Sequence, residues 1–282
     1  MVELFGNIQV DWLGKRKLFF AITIVLILIG LGSLLVKKHF RYGVDFKGGT
    51  MVTVRFHEKT EIGKVRDAVP NADIQELLNG KNDFMIDYQG AGDAAADASQ
   101  GREAVISALN KTFEGKFDFM GAQSVGPKVG EDLRRQAVFA TLYALGGMLV
   151  YIAFRFEWIY GAAAVFAALH DTLITLGLFS LFNRDINLTV IAALLTLIGY
   201  SMNDTIVVFD RVRENLKVRR RDSLETVMND SINQTLSRTI LTSALTFLTV
   251  LALFVFGGEI INHFAFAMVV GIIIGTYSSI AI

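Results

Sequence analysis

Residues 18 to 36, LFFAITIVLILIGLGSLLV, run without a single charged side chain. A hydrocarbon layer about 30 Å thick is crossed by roughly 20 helical residues. Inside it every backbone N–H and C=O needs a partner from its own segment, so a run of this kind is restricted to a spanning helix or a closed barrel. Further apolar runs follow at 137–154, 158–182, 186–209 and 240–257, and a sixth begins near 264. Six spans place both termini on one side. Lys15, Arg16 and Lys17 precede the first run as in a secretory signal, but no A-x-A cleavage pattern follows and the run is long enough to span. It reads as an uncleaved first transmembrane helix over 18–36, after an N-terminal segment 1–17.

Residues 37–135 have the charge density of an ordinary water-exposed domain. TMVTVRF alternates as a strand, EIGKVRDAVP has helical spacing, ADIQELL and DFMIDYQ read as strands around Asn79-Gly80, GREAVISALNKTF is helical and KFDFMGAQSV is a last strand. That β-α-β-β-α-β order predicts a ferredoxin-like α+β domain. The small, polar stretch GAGDAAADASQG reads as a loop. No nucleophile stands with a base here, so binding is expected rather than catalysis.

Two glycine-bearing motifs flank this domain. RYGVDFKGGT, residues 41–50, carries Gly43, Asp45, Lys47, Gly48 and Gly49, and glycines there permit a positive φ or a close backbone approach. The GxxxxGK[ST] spacing of a phosphate loop is missing. GPKVGEDLRRQ, residues 126–136, carries Gly126, Pro127 and Gly130 and is expected to be the connector back to the membrane.

The absence of cysteine excludes disulfides, thiolate metal sites and cysteine nucleophiles, and four histidines without HExxH spacing give a metal site no support. A formal net charge of zero gives no basic surface for nucleic acid. No cofactor is implied. The local distribution of charge is informative instead. Arg211, Arg213, Lys217, Arg219, Arg220, Arg221 and Arg238 crowd 210–239, whereas 258–263 has no basic residue. By the positive-inside rule, 210–239 is a cytoplasmic loop, both termini are cytoplasmic, and the α+β domain is periplasmic in a two-membrane bacterium. Acids interleave with these bases, which reads as a solvated amphipathic connector rather than a lipid-binding patch.

Within the spans the costly residues are acids, and intramembrane acids face a protein interior or a water path. Asp204 lies in the fourth span about 8 Å from its cytoplasmic end at about 1.5 Å per residue, with Ser201 and Asn203 close by. Arg238 enters the membrane at a similar depth on the next helix, and Arg211 falls on nearly the same face as Asp204, one or two turns beneath it. A carboxylate whose ionisation depends on an approaching or retreating guanidinium can bind and release a proton. The same two groups held together would be a static buried salt bridge. Sequence leaves both open. In the third span, His170 is expected to be an interhelical hydrogen-bond partner and Asp171 a second relay candidate. Glu259 and His263 are placed in a short solvated outer loop, and Gly146, Gly147, Gly199 and Gly271 at close helix contacts.

GVDFKGGT after the first span, GPKVG before the second, GYSMNDTIVVFDRVREN in the fourth and LSRTILTSALT in the fifth together resemble the SecF family of bacterial protein-export membrane subunits, relatives of the resistance-nodulation-division transporters. The resemblance covers essentially the whole chain and implies a fold of six transmembrane helices with one periplasmic domain. It implies assembly with SecD, which would supply a pseudo-symmetric second set of six helices. It further implies the SecYEG channel, exported unfolded polypeptides and membrane lipids as partners, and use of the proton gradient to assist late translocation. Matched residue by residue, Asp204 of MNDT is the family's proton-carrying acid and Arg238 of LSRT its basic counterpart, with Asn203 beside the acid and Asp171 added as a further relay residue.

Three other readings compete. A small-molecule or lipid exporter of the same superfamily would carry two large outer domains and about twelve spans in one chain. A passive scaffold would use the membrane charges only to fix helix packing. An intramembrane hydrolase would need an aspartyl dyad, for which Asp171 with Asp204 is the only candidate, and the rest of a catalytic constellation is missing.

Overall fold

The computed structural model describes residues 9–70, 72–77, 82–89 and 98–282. Along the chain run α1 (Arg16–Lys37), α2 (Val44–Lys47), β1 (Gly49–Phe56), α3 (Ile62–Ala68), β2 (Ala72–Glu76), β3 (Asp83–Tyr88), α4 (Ala98–Phe113), β4 (Phe117–Val125), α5 (Pro127–Arg155), α6 (Trp158–Leu181), α7 (Leu188–Val218), α8 (Leu224–Phe256) and α9 (Glu259–Ala281). They form two compact units. One comprises Tyr42–Ala140 with Asp185–Leu188, and the other takes Met1–Arg41, Thr141–Arg184 and Thr189–Ile282.

The first unit is built on an antiparallel sheet in the order β2-β3-β1-β4, with the β-α-β-β-α-β sequence of elements expected. Alternation decides what it buries. Val52, Val54 and Phe56 of β1 sit opposite or beside Ile86 and Phe84 of β3, and they pack with Val65 of α3 and Val105 and Leu109 of α4 into one apolar core. On the other face Arg55 and its register partner Asp83 form a bidentate pair at 2.6 and 2.8 Å, which satisfies a fully buried carboxylate. A β-bulge interrupts the β1–β4 ladder between Thr53 and Val54. The Asn79-Gly80 turn and most of the loop expected at GAGDAAADASQG lie outside the described residues.

Among the described residues six helices are long and apolar enough to cross a membrane, as expected, and the chain is a multi-pass membrane protein. Buried side chains concentrate on α6, α7 and α9, whereas α1, α5 and α8 expose most of their apolar surface. α1 and α6 meet backbone to backbone: a Cβ on Gly30 would stand 2.8 Å from Cα of Gly177, and the reverse is equally true. Two glycines allow this approach because neither backbone carries a side chain at the crossing. Of the glycines expected at helix contacts, Gly271 is one, against Leu197, while Gly146, Gly147 and Gly199 face open space.

Three expectations change. The stretch 126–136 is not a connector, because α5 begins at Pro127 and runs on without interruption; proline is well suited to the first helical position, where its missing N–H costs nothing. The 210–239 stretch is not a loop either. α7 continues to Val218 and α8 starts at Leu224, with Ser223 capping it by accepting from Thr226 N at 3.2 Å. The interleaved charges pair instead of solvating a coil: Arg211 with Glu214 at 2.9 Å, and Arg219 with Asp222 and Asp230 at 2.6 Å each. Those two carboxylates hold the Arg219 guanidinium above its ordinary pKa. Finally, His263 is not in a solvated loop but buried within α9.

Candidate functional site

α6 brings His170 and Asp171 into the helical core side by side. Asp171 Oδ1 lies 2.8 Å from Nδ1 of His170, while Oδ2 accepts from Ser201 Oγ of α7 at 2.6 Å and from Ser278 Oγ of α9 at 2.9 Å. His170 Nε2 lies 3.3 Å from Thr23 Oγ1 of α1, which is 3.4 Å from the Tyr277 hydroxyl; that hydroxyl donates to Phe19 O at 2.7 Å. One chain of hydrogen bonds therefore links α1, α6, α7 and α9. His170, Asp171, Ser201, Ser278 and Thr23 are all buried.

Counting donors along this chain shows what it can do. Tyr277 has one proton, and Phe19 O takes it. If Thr23 donates to Tyr277, Nε2–H of His170 must donate to Thr23, and the contact between Nδ1 and Asp171 needs one more proton between two acceptors. If Thr23 turns and donates to Nε2 instead, Nδ1–H donates to an ionised Asp171. The two arrangements differ by one hydroxyl rotation and one proton.

Asp204 lies one turn along α7 from Ser201. It is buried, and its Oδ2 accepts from Ser243 Oγ of α8 at 3.2 Å. Arg238 of α8 forms no ion pair with it within 4.0 Å. The guanidinium is exposed in a cleft of about 520 Å³ that is also lined by Arg155, Asp210, Arg211 and Glu214. Asp204 and Asp171 share no hydrogen bond and have separate donors, so no aspartyl dyad forms. Asn203 is exposed on the neighbouring face of α7 and does not join Asp204, because one residue turns the helix by about 100°. Arg211 does not lie beneath Asp204 as a partner. It donates to Gln234 at 2.5 Å and Glu214 at 2.9 Å.

The two glycine motifs meet each other. Gly48 and Gly49 adopt positive φ, 75° and 125°. A Cβ on Gly48 would lie 2.8 Å from Cα of Pro127, one on Gly49 2.8 Å from Tyr88 O, and one on Gly130 3.1 Å from Gly48 N. Gly43 N donates to Ile186 O at 2.9 Å. Asp45 is buried and accepts from Leu188 N at 2.8 Å and Gln123 Nε2 at 3.0 Å. It supplies a negative charge to the first residue of α7, where helix amides lack partners. Gly126 has open space around it.

Ser278, Thr23, Tyr277 and Ser243 were not singled out by sequence. A hydroxyl in an apolar run has a bland alternative, donation to the carbonyl four residues back, as Thr172, Thr196 and Thr246 do. Only the fold shows which hydroxyls turn to a neighbour.

Known proteins agree with this architecture. The family model for SecD/SecF protein-export membrane proteins, C-terminal, matches residues 105–282, and that for the SecD/SecF GG motif matches residues 33–59. The protein translocase subunits SecF of Calditerrivibrio nitroreducens and Pseudomonas aeruginosa are 44% and 40% identical to this chain. The alignments cover 100% and 97% of it and 94% and 89% of those proteins. The crystal structure of SecDF, a translocon-associated membrane protein from Thermus thermophilus, superimposes with a TM-score of 0.85 at 37% identity. That match covers 98% of this chain and 38% of the SecDF chain. With sequence agreement along its whole length and a shared backbone, the chain belongs to the SecF family of protein translocase subunits.

Proposed function

We propose that this chain is the SecF half of a proton-driven accessory to protein export, working with SecD beside the SecYEG channel on unfolded polypeptides at the outer face of the cytoplasmic membrane. The observation that carries the reading is Asp204: a buried carboxylate with one hydroxyl donor from α8, the helix that also carries Arg238, and no ion pair with that arginine. A pair locked at contact distance would favour packing. A separated pair leaves the acid free to exchange a proton when α8 shifts Arg238, which is the minimum coupling device.

Asp171 and His170 form the second stage of this relay. Their support is the donor count above, in which turning the Thr23 hydroxyl changes the proton content by one. Partnership with SecD is supported by the SecDF likeness, in which this chain corresponds to 38% of the larger protein. With cytoplasmic termini, the α+β unit faces the periplasm.

The test compares gradient-dependent export in membrane vesicles from wild type and Asp204→Asn, with SecD co-purification followed in parallel. Lost export with an intact complex supports coupling. Unchanged export, or loss of the complex itself, assigns Asp204 to packing and makes the chain a scaffold.

A further inference from the structure

Two asparagines of α8 are turned onto the chain ahead of α1. Asn229 Oδ1 accepts from Trp12 N at 2.8 Å and Leu13 N at 3.4 Å, and Asn233 Oδ1 accepts from Val10 N at 3.2 Å and from the Trp12 indole at 3.0 Å. Both amide nitrogens donate to Val10 O, at 3.0 and 2.9 Å. Residues 229 and 233 are one turn apart and share a face of the helix. Turning either amide over would set an NH2 group against backbone N–H, so the network fixes how both stand. Residues 10–13 are thereby held as a strap across α8.

Apolar contacts add to the grip. Trp12 and Leu13 pack on Val208 and Val212 of α7 and Ile232 of α8, and the Trp12 ring lies 5.9 Å from that of Phe19 on α1. No slack separates strap from helix. Lys15 N donates to Trp12 O at 3.1 Å and Arg16 N to Leu13 O at 3.2 Å, so the chain passes through a hydrogen-bonded turn straight into α1. Arg16 adds an exposed pair with Glu225 at 2.8 Å, which contributes little.

What the strap joins gives it a role. Further along, α1 meets α6 at Gly30 and Gly177, and its Thr23 lies 3.3 Å from Nε2 of His170. The strap grips α8 at Asn233, five residues before Arg238 and about 8 Å from it along the axis. A second hold on α8 comes from Asn215, which donates to Ser231 and Gln234 at 2.9 and 3.0 Å, but that one leads to α7. The strap leads to α1, and all these residues belong to the helical unit.

We propose that residues 10–13 are a yoke that holds α8 to α1, with Asn229 and Asn233 as the positioning residues that fasten it. The place of Arg238 and Ser243 beside Asp204 is then set through α1, the helix that also reaches His170. This consequence for Asp204 depends on the relay proposed above. The yoke is read from distances, without export, so the two fail separately.

The chain has no cysteine, so paired cysteine substitutions carry spin labels at chosen positions alone. Three pairs of exposed positions are labelled in the full chain in lipid nanodiscs: Asp11 with Val218 for the strap, Phe166 with Leu245 for α8 against α6, and Leu28 with Leu173 across the α1–α6 contact. Asn229→Leu with Asn233→Leu keeps the side-chain shape and removes the amides. The strap distance is expected to broaden, the α8 distance to shift by about 1–2 Å, the usual scale of helix movement, and the α1–α6 distance to stay unchanged. Asn233→Asp keeps the acceptor, loses the donor to Val10 O, and is expected to give the same changes in part. A released strap with the α8 distance unchanged overturns the proposal, as does a strap that stays docked without its amides. Where the double variant disturbs the α1–α6 distance, Asn233→Asp decides by the same two readings; disturbance in both variants makes the strap a folding element and overturns the yoke.

Discussion

Gly48 and Pro127 stand so close that a Cβ on the glycine would lie 2.8 Å from Cα of the proline. Each belongs to a different flanking motif, one leading into β1 and the other starting α5. The contact makes the two motifs one joint, with Gly130 completing it against Gly48 N and the Phe46 carbonyl carbon.

Gly48→Ala combines that clash with a φ of 75°, which side chains rarely adopt. A loss of about 1–3 kcal/mol is expected, measured as the shift in the unfolding transition of detergent-solubilised protein. Gly126→Ala, with nothing within 4 Å of its Cβ position, is the control and leaves the transition within about 0.5 kcal/mol.

Asp45→Ala leaves Leu188 N and Gln123 Nε2 without their acceptor. Loss of a helix-end acceptor costs about 1 kcal/mol. Asp45→Asn, which keeps a carbonyl oxygen but not the charge, is expected to cost less. Thermal unfolding of the two variants side by side checks the order.

Ser201→Ala and Ser278→Ala each remove one of two donors to Asp171 Oδ2. A buried acceptor that loses a donor costs about 1–3 kcal/mol, so each variant is expected to lower the unfolding transition of detergent-solubilised protein by that order. An unchanged transition in both would mean that neither hydroxyl supports the Asp171 carboxylate.

Arg238 forms no ion pair with Asp204 within 4.0 Å, so under the proposed relay its charge is expected to matter more than its fork geometry. Arg238→Lys is expected to retain most gradient-dependent export and Arg238→Gln to abolish it, at equal SecD co-purification. Equal loss in both variants would mean that the planar guanidinium, not its charge, is what the site requires.

Arg184 donates to Asn262 at 2.5 Å and lies over the rings of Phe266, 4.4 Å away, and Phe254, 5.6 Å away. Burial lowers its pKa from the ordinary arginine value. A cation with a lowered folded-state pKa weakens folding while it is charged, and that penalty is relieved only as pH rises through the lowered pKa, at the alkaline end. Between about pH 5 and 9 arginine remains charged, so its contribution is expected to be flat there. Arg184→Lys loses stacking worth about 0.5–2 kcal/mol, and melting curves across that range test both points.

The sequence alone determined the six spans, the β-α-β-β-α-β unit and the identity of the costly residues. Charge-free runs of spanning length and strict two-residue alternation leave the backbone few other solutions. It also singled out Asp204, Asp171 and Arg238, because charge in hydrocarbon stands out at any position.

What it left open was direction and partnership. Asn203 and Asp204 are neighbours in sequence and face different surroundings, because successive helical residues diverge. Arg211 was placed beneath Asp204 by periodicity, yet Glu214 and Gln234 claim it, since a long side chain follows the nearest acceptor rather than the helix wheel. Ser243, Ser278 and Thr23 became visible only when five helices met around two carboxylates. A hydroxyl satisfies itself on its own backbone unless another helix brings it an acid, and tertiary structure alone decides which occurs.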